Sequence, residues 1–414
     1  MTFLRQLTAL IPCARSGPLT LVRALYCTGL ASLMLATPLP AQAGGGEIKI
    51  GNTMPYSGAA SAYGTIGRME AAYFKMLNEQ GGINGRKINF ISLDDGYNPS
   101  KTVEQTRRLV EGDGVLLMFS AFGTATVSAV QKYLSDQKVP QLFFVTGASK
   151  WEDRKQHSWM IGWQPTYHAE GMIFANYLLR SRPDARIGVL YQNDDYGRDY
   201  LQGLKDGLGA KASAMIVKEL TYQVNDPTID SQIVALKASG ADVFFNVTTA
   251  KFAAQAIRKS DEIGWKPLHL INSISSAVAS VLEPAGLDKS VGLITAAYGK
   301  DPTDPQFRDD PGVRDYFDFM RKYFPEGDAT NMQNAITYSR TMTLALVLRQ
   351  CGDDVSRDNI MRQANRLDRE LPMLLPGIRV RTGIDRPSAI TEMQLQRFTG
   401  RSWERFGGLV GVRN

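Results

Sequence analysis

The chain has 414 residues, 43% of them hydrophobic and 21% charged, a balance that belongs to globular proteins and excludes disordered and fibrous architectures. Its length suits two or three domains rather than one small core. Lysine and arginine number 47 against 41 acids, and three of the surplus cations (Arg5, Arg15 and Arg23) fall in the first 43 residues, so the remainder is too near neutrality to suggest a nucleic acid partner.

Residues 1–43 read as a cleaved export signal. A basic region without acids ends at Arg23, and an apolar stretch follows from Ala24 to Ala36. That stretch falls short of the ~20 residues that span a bilayer. Pro38, Pro40 and Ala41-Gln42-Ala43 come next, and the small residues Ala41 and Ala43 suit cleavage before Gly44. Tyr26 is too large to precede a lipoprotein cysteine at Cys27. Cys13 and Cys27 leave with the signal, so Cys351 alone remains and no disulfide forms within the mature chain. Beside Leu346, Val347 and Leu348, Cys351 reads as a small buried hydrophobe in a core helix.

From Ile48 the pattern alternates between strand and helix. A strand over Ile48–Gly51 precedes a helix near 64–79, where Ile66, Met69, Tyr73, Met76 and Leu77 mark one face of a 3.6-residue repeat. Gly81-Gly82 ends it. Lys87–Leu93 is the next strand, and Asn98 caps a helix whose first residue is Pro99. Val115–Phe119 and Leu142–Val145 are short apolar runs, the mark of strands buried on both faces. A break at Gly162-Trp163-Gln164-Pro165 precedes a second series of strands: Ile187–Tyr191, Met215–Leu220, Val243–Val247, Leu268–Asn272 and Leu293–Ala297. Helices near Tyr200–Gly207 and Thr228–Ser239 lie between them. This alternation implies parallel sheets covered by helices, here two open α/β sheets rather than one barrel. Long helices follow near Asp315–Tyr323 and Asn334–Arg349, and beyond Pro372 the pattern weakens.

Enzyme signatures are missing. No phosphate-binding glycine loop, HExxH, CxxC or Gly-x-Ser-x-Gly occurs. His157, His168 and His269 lack ligand-like spacing and read as structural, so no metal is implied. The acidic pairs Asp94-Asp95 and Asp194-Asp195 stand at strand ends, where they serve as an acid and base or, more simply, cap the next helix. No nucleophile–base set accompanies them, which disfavours an enzyme.

Open α/β sheets bind ligands at the carboxyl ends of their strands. Three loops there share small hydroxyl residues, glycine and a following helix: Thr53-Met54-Pro55-Tyr56-Ser57-Gly58, Phe122-Gly123-Thr124-Ala125-Thr126 and Thr146-Gly147-Ala148-Ser149. Hydroxyls and free N–H groups at a helix start suit a carboxylate. Serine and threonine also cap helices generally, so the same loops read as caps. Tyr63, Tyr196 and Tyr298, in or beside such loops, offer flat walls for an apolar ligand or serve only as packing.

Thr53–Gly58, Asn78-Glu79-Gln80-Gly81-Gly82-Ile83-Asn84-Gly85-Arg86 and Asp94-Asp95-Gly96-Tyr97-Asn98-Pro99 resemble the leucine/isoleucine/valine-binding protein family. Asn193-Asp194-Asp195-Tyr196-Gly197 and Gly240-Ala241-Asp242-Val243 are similar to it further on, and the likeness spans residues 47–400. The resemblance implies a type I periplasmic binding protein: two doubly wound parallel-sheet α/β lobes joined by a three-crossing hinge. Lobe one would be residues 44–163 plus 297–378, and lobe two 164–296 plus 379–414. It implies a monomer in the periplasm with no cofactor and no stable membrane insertion after signal cleavage. Such a protein hands a small-molecule ligand to the membrane permease of an ABC importer. Residue by residue, it implies ligand contacts at Tyr63, Thr124, Ala148, Ser149, Tyr196, Thr249, Ser273 and Tyr298, with Ala148 and Ser149 holding the ligand's carboxylate.

One position departs from the family pattern. Amino acid binders of the family carry an acid after the strand that here is Leu268–Asn272, and Ser273 stands in its place. A desolvated ammonium without a counter-charge costs several kcal/mol. The sequence therefore suggests an aromatic or aliphatic acid without an α-amino group, as well as a branched-chain amino acid-like ligand. Pro140–Trp151 resembles family members that serve such acids. A ligand-sensing module working with a separate signalling receptor is the alternative, and an exported α/β enzyme a weaker one.

Overall fold

The computed structural model describes residues 46–386 and 388–411; the export signal read over residues 1–43 and its cleavage point before Gly44 lie outside them. Two sheets, each flanked by helices, form two lobes. The first holds β1 (Ile48–Met54), β2 (Ile88–Asp94), β3 (Leu117–Phe119), β4 (Gln141–Phe144) and β5 (Met160–Gly162), in the order β2-β1-β3-β4-β5. All its pairings are parallel. In β1, β3 and β4 nearly every residue is buried, which explains why the sequence around β3 and β4 reads as apolar runs without alternation. β1 extends three residues past its expected end, and β5 was not foreseen, since three residues give no period to read.

Helices α1 (Thr65–Glu79), α2 (Pro99–Arg107) and α3 (Thr124–Asp136) connect these strands. On α1 the predicted face is the core face: Ile66, Met69, Tyr73 and Leu77 are buried. The Asn98 side chain accepts from the N–H groups of Ser100 and Lys101, and Pro99 opens α2 at a position where its missing N–H costs nothing.

The second lobe begins with α4 (Tyr167–Ser181) and holds β6 (Ile187–Gln192), β7 (Ile216–Tyr222), β8 (Val243–Val247), β9 (Leu268–Ile271) and β10 (Ile294–Ala297). Between these strands run α5 (Asp195–Leu208), the single turn α6 (Ala212–Met215), α7 (Asp230–Ala238), α8 (Ala250–Glu262) and the short α9 (Glu283–Ala285). The chain then returns to the first lobe with α10 (Pro311–Tyr323), α11 (Met332–Cys351) and α12 (Arg357–Ala364), and α10 and α11 pack on α1. Buried on nearly all sides, α11 shows no polar face, and Cys351 lies buried at its end.

After a two-residue ribbon of β11 (Asp368–Arg369) and β12 (Val380–Arg381), the chain adds β13 (Glu392–Phe398), β14 (Trp403–Arg405) and β15 (Val410–Gly411) to the second sheet. The order there is β7-β6-β8-β9-β10-β13-β14, with β15 also paired to β13. β13 is antiparallel to β10, so this sheet is not wholly parallel. The weak pattern beyond Pro372 hides these strands because polar residues such as Gln394 and Arg397 interrupt them.

The chain thus passes between the lobes three times: after β5, after β10 and before β13. Two passages are hydrogen-bonded to each other, Ala389 N–H to the Gly162 carbonyl (3.1 Å) and Ile390 N–H to the Trp163 carbonyl (3.0 Å). Trp163 is fully buried, donates from Nε1 to Thr343 Oγ1 (3.0 Å) and sets its ring edge-on to Tyr298 of the remaining passage (6.0 Å). Among the described residues no helix is long and apolar enough to cross a membrane.

Candidate functional site

Parallel pairing places the carboxyl ends of β1 and β2 side by side, Met54 opposite Asp94. There Asp94 organises the first loop. Its Oδ1 accepts the N–H groups of Tyr56 (2.9 Å), Ser57 (3.1 Å) and Gly96 (3.0 Å), and its Oδ2 accepts from the Ser57 hydroxyl (2.7 Å) and Lys101 Nζ (2.9 Å). Partial burial opposes its ionisation, but Lys101, Ser57 and the N–H groups outweigh that and hold the carboxyl well below the usual range. Asp95 accepts from Tyr97 N–H and Thr102 Oγ1, both 2.9 Å. Asp194 caps α5 through Gly197 N–H (3.2 Å). The acidic pairs are thus scaffolding. The histidines are engaged in the same way, His168 with Asp206 (2.8 Å), His269 with Asn246 (3.0 Å) and His157 with Gln131 (3.2 Å).

The two sheets turn their carboxyl edges toward one another across a cavity. Tyr97, Phe122, Gly123, Thr124 and Val145 line it from the first lobe, and Tyr167, Tyr196, Thr249 and Ile274 from the second. The free space is about 20 Å³, room for about one water molecule. None of the lining side chains is charged. Thr124 opens α3 and Thr249 stands at the N-cap position of α8, so two helix N-termini face the space from opposite sides. Tyr97 (φ 59°) and Gly123 (φ 96°) both adopt left-handed φ values. A Cβ on Gly123 would stand 2.2 Å from the Tyr97 ring, so only glycine lets that ring lie there.

Of the eight residues implied by the family resemblance, Thr124, Tyr196 and Thr249 line this cavity. The Thr124 hydroxyl is 2.7 Å from that of Thr146, and the N–H of Thr249 donates to the Tyr222 hydroxyl (3.0 Å). Tyr196 meets Tyr167 edge-on (5.2 Å) and donates to the Thr248 carbonyl (3.2 Å). Tyr63 stands one layer behind, stacked on Phe122 (4.6 Å), with its hydroxyl accepting from Ala250 N–H of the other lobe (3.1 Å). Tyr298 lies at a lobe passage, against Trp163. Ala148 is buried, its N–H on Thr146 Oγ1 (3.2 Å).

Ser149 and Ser273 are each bound to an acid that sequence reading passed over. The N–H of Ser149 donates to Asp199 Oδ2 (2.9 Å) and its hydroxyl to Asp199 Oδ1. Asp199 lies on α5 of the second lobe, so this bond joins the lobes, as does the adjacent Lys150–Asp195 pair (2.8 Å). Ser273 gives its N–H and hydroxyl, both at 2.7 Å, to Glu170 of α4, which also accepts from Tyr200 (2.7 Å). Glu170 is buried, and burial pushes its carboxyl up to about 7 despite the hydrogen bonds from Ser273 and Tyr200. A lone acid within a helix carries no sequence signal of such a role. Tyr97 and Phe122 did lie within quoted motifs, and their aromatic character was the available clue. Among the described residues no cluster of three or more His, Cys, Asp or Glu is placed to hold a metal ion.

Two α/β lobes with an uncharged cavity between the carboxyl edges of their sheets have the architecture of a two-lobed solute-binding protein. The sequence profile of the family described as periplasmic binding protein matches residues 47–401, and the chain belongs to that family, in the leucine/isoleucine/valine-binding group that its motifs resemble. The Leu/Ile/Val-binding protein homolog 1 of Brucella suis biovar 1 is 24% identical over 321 residues, 74% of this chain and 80% of the relative. The crystal structure of a branched chain amino acid ABC transporter protein from Thermus thermophilus with bound valine has a TM-score of 0.80 at 14% identity, covering 88% of this chain and 97% of that one. A solute-binding protein of an ABC transporter from R. palustris, in complex with benzoate, has a TM-score of 0.75 at 15% identity, covering 88% and 98%.

Proposed function

We propose that the chain is the exported solute receptor of an ABC importer, binding a small carboxylate-bearing ligand between its lobes and handing it to a membrane permease. The observation that carries this is the cavity: aromatic and aliphatic walls from both lobes, no charged lining, and two helix N-termini facing the same space. Such a site suits a ligand with an apolar body and one anionic group. The eight residues from Tyr63 to Tyr298 are proposed as its contacts, with residues 44–163 plus 297–378 as lobe one and 164–296 plus 379–414 as lobe two. Hinge motion about the three passages opens the cavity to admit the ligand. The export signal is proposed to be cleaved before Gly44, leaving a periplasmic monomer.

The ligand is proposed to be an aromatic or aliphatic acid, in keeping with the benzoate held by the R. palustris relative. A second reading has an observation of its own. Glu170 stands against Ser273, the position where the family's amino acid binders place their acid, so it could face an ammonium group. Its oxygens already accept three hydrogen bonds, which disfavours this. Calorimetry with benzoate, hexanoate, leucine and valine decides between them. Binding of the acids without leucine supports the first reading. Leucine binding that Glu170→Gln abolishes supports the second. No binding by any of the four, with no rise in melting temperature, refutes the receptor reading for these ligand classes.

A further inference from the structure

The family resemblance implies that Ser149, with Ala148, holds the ligand's carboxylate through a backbone N–H and a hydroxyl. Both donors do hold one, and it belongs to the protein. Asp199 accepts the N–H at 2.9 Å on one oxygen and the hydroxyl on the other. Two parallel hydrogen bonds to an ionised acid are the stronger, charge-assisted kind. Ser149 follows β4 of the first lobe and Asp199 lies on α5 of the second, so the pair closes one lobe on the other. Asp199 is three residues beyond Tyr196 on the same helix, so the clasp sits about one helical turn from the cavity wall. The contact also borders an open groove lined by Ala148, Lys150, Asp195 and Arg198, which gives a solute access to Ser149.

We propose that Asp199 sets the receptor's affinity by competition: its carboxylate and the ligand's contend for the same two donors on Ser149, and it clasps the lobes together when it wins. This rests on the carboxylate-ligand reading above. Ligand entry requires the Ser149–Asp199 bonds to break, so apparent affinity is reduced by the fraction of molecules held clasped. The Lys150–Asp195 pair beside it adds a weaker, solvent-screened tie.

The test uses the chain from Gly44 onward with Asp199→Ala, Asp199→Asn and Ser149→Ala. Alanine suits the middle of α5, and asparagine keeps the side chain's shape. Benzoate and hexanoate are the calorimetric probes, and small-angle scattering is recorded without added ligand. Asp199→Ala should raise the radius of gyration and tighten acid binding roughly tenfold as the clasped fraction falls. Asp199→Asn should move both readings the same way by less. Ser149→Ala should raise the radius by less, since its N–H still reaches Asp199, and should weaken acid binding, because the ligand loses the hydroxyl donor; a merely structural contact would weaken binding in all three variants. An unchanged radius in Asp199→Ala overturns the clasp, and unchanged or weaker acid binding there overturns the competition. If neither acid binds to any of the proteins, the ligand reading fails and the competition with it, while the scattering still decides the clasp.

Discussion

Glu170 and Ser273 are joined by two hydrogen bonds of 2.7 Å, the serine giving both its N–H and its hydroxyl to one buried carboxylate. The bond ties α4 to the loop after β9, on the second-lobe side of the cavity. It also places an acid beside the position where the sequence lacks one.

The pair makes stability depend on pH. Glutamate in an unfolded chain titrates near ~4.3, and burial raises Glu170 to about 7 in the folded chain. Between those values the native state keeps a proton that the unfolded state has lost, so stability falls as pH rises, and the loss is complete above the folded value. Glu70, pushed up to about 8 by burial against the pull of Arg340, acts in the same direction. Urea unfolding should show lower stability at pH 8 than at pH 5. Glu170→Gln should shrink that difference by ~3 kcal/mol; an unaltered slope would mean that Glu170 is ionised throughout.

Asp94 has the opposite sign. Its folded carboxyl is held below its unfolded range, so its contribution is present above about pH 4 and lost as pH falls through the folded value. Asp94→Ala should cost ~2–3 kcal/mol at neutral pH, given the loss of hydrogen bonds to a charged acceptor. Amide exchange should quicken at Tyr56, Ser57 and Gly96, whose N–H groups it accepts. Protection unchanged at those three amides would show that the loop holds itself without Asp94.

Gly123→Ala tests the cavity wall. The substitution forces alanine to φ 96° and puts a methyl group 2.2 Å from the Tyr97 ring. We expect a stability loss of ~1–3 kcal/mol from backbone strain, and at least a tenfold loss of benzoate binding as Tyr97 is pushed aside. Tyr97→Ala in the same chain should recover part of the stability. Full benzoate affinity in Gly123→Ala would place the ligand elsewhere.

Cys351 should behave as a packed hydrophobe. Burial pushes its thiol up to about 11, so little thiolate exists at neutral pH. A thiol reagent should react slowly with the native chain from Gly44 onward and rapidly in urea. Fast labelling of the native protein would contradict the packing.

The structure also shows which features can be read from sequence and which cannot. α1 was legible because Ile66, Met69, Tyr73 and Leu77 repeat along one helix face, and α2 because Asn98 and Pro99 carry cap chemistry locally. β13 was not legible, because its fit depends on β10, about a hundred residues earlier in the chain, and on antiparallel pairing that no local pattern encodes. Within the cavity, the hydroxyl loops and Tyr196 could be found from strand ends and glycines. Tyr167 could not, since its place depends on how the first lobe passage directs α4.

By itself the sequence determined two α/β sheets, the family and the loops that reach the cleft. Those properties come from short-range periodicity, capping and motif spacing, all carried by neighbouring residues. Only the tertiary structure decided what Ser149 and Ser273 touch. Each has strong donors, Ser273 buried and Ser149 half-buried, and donors taken out of water must find acceptors. Which carboxylate satisfies them depends on where α5 and α4 come to rest, and that follows from packing between elements far apart in the chain.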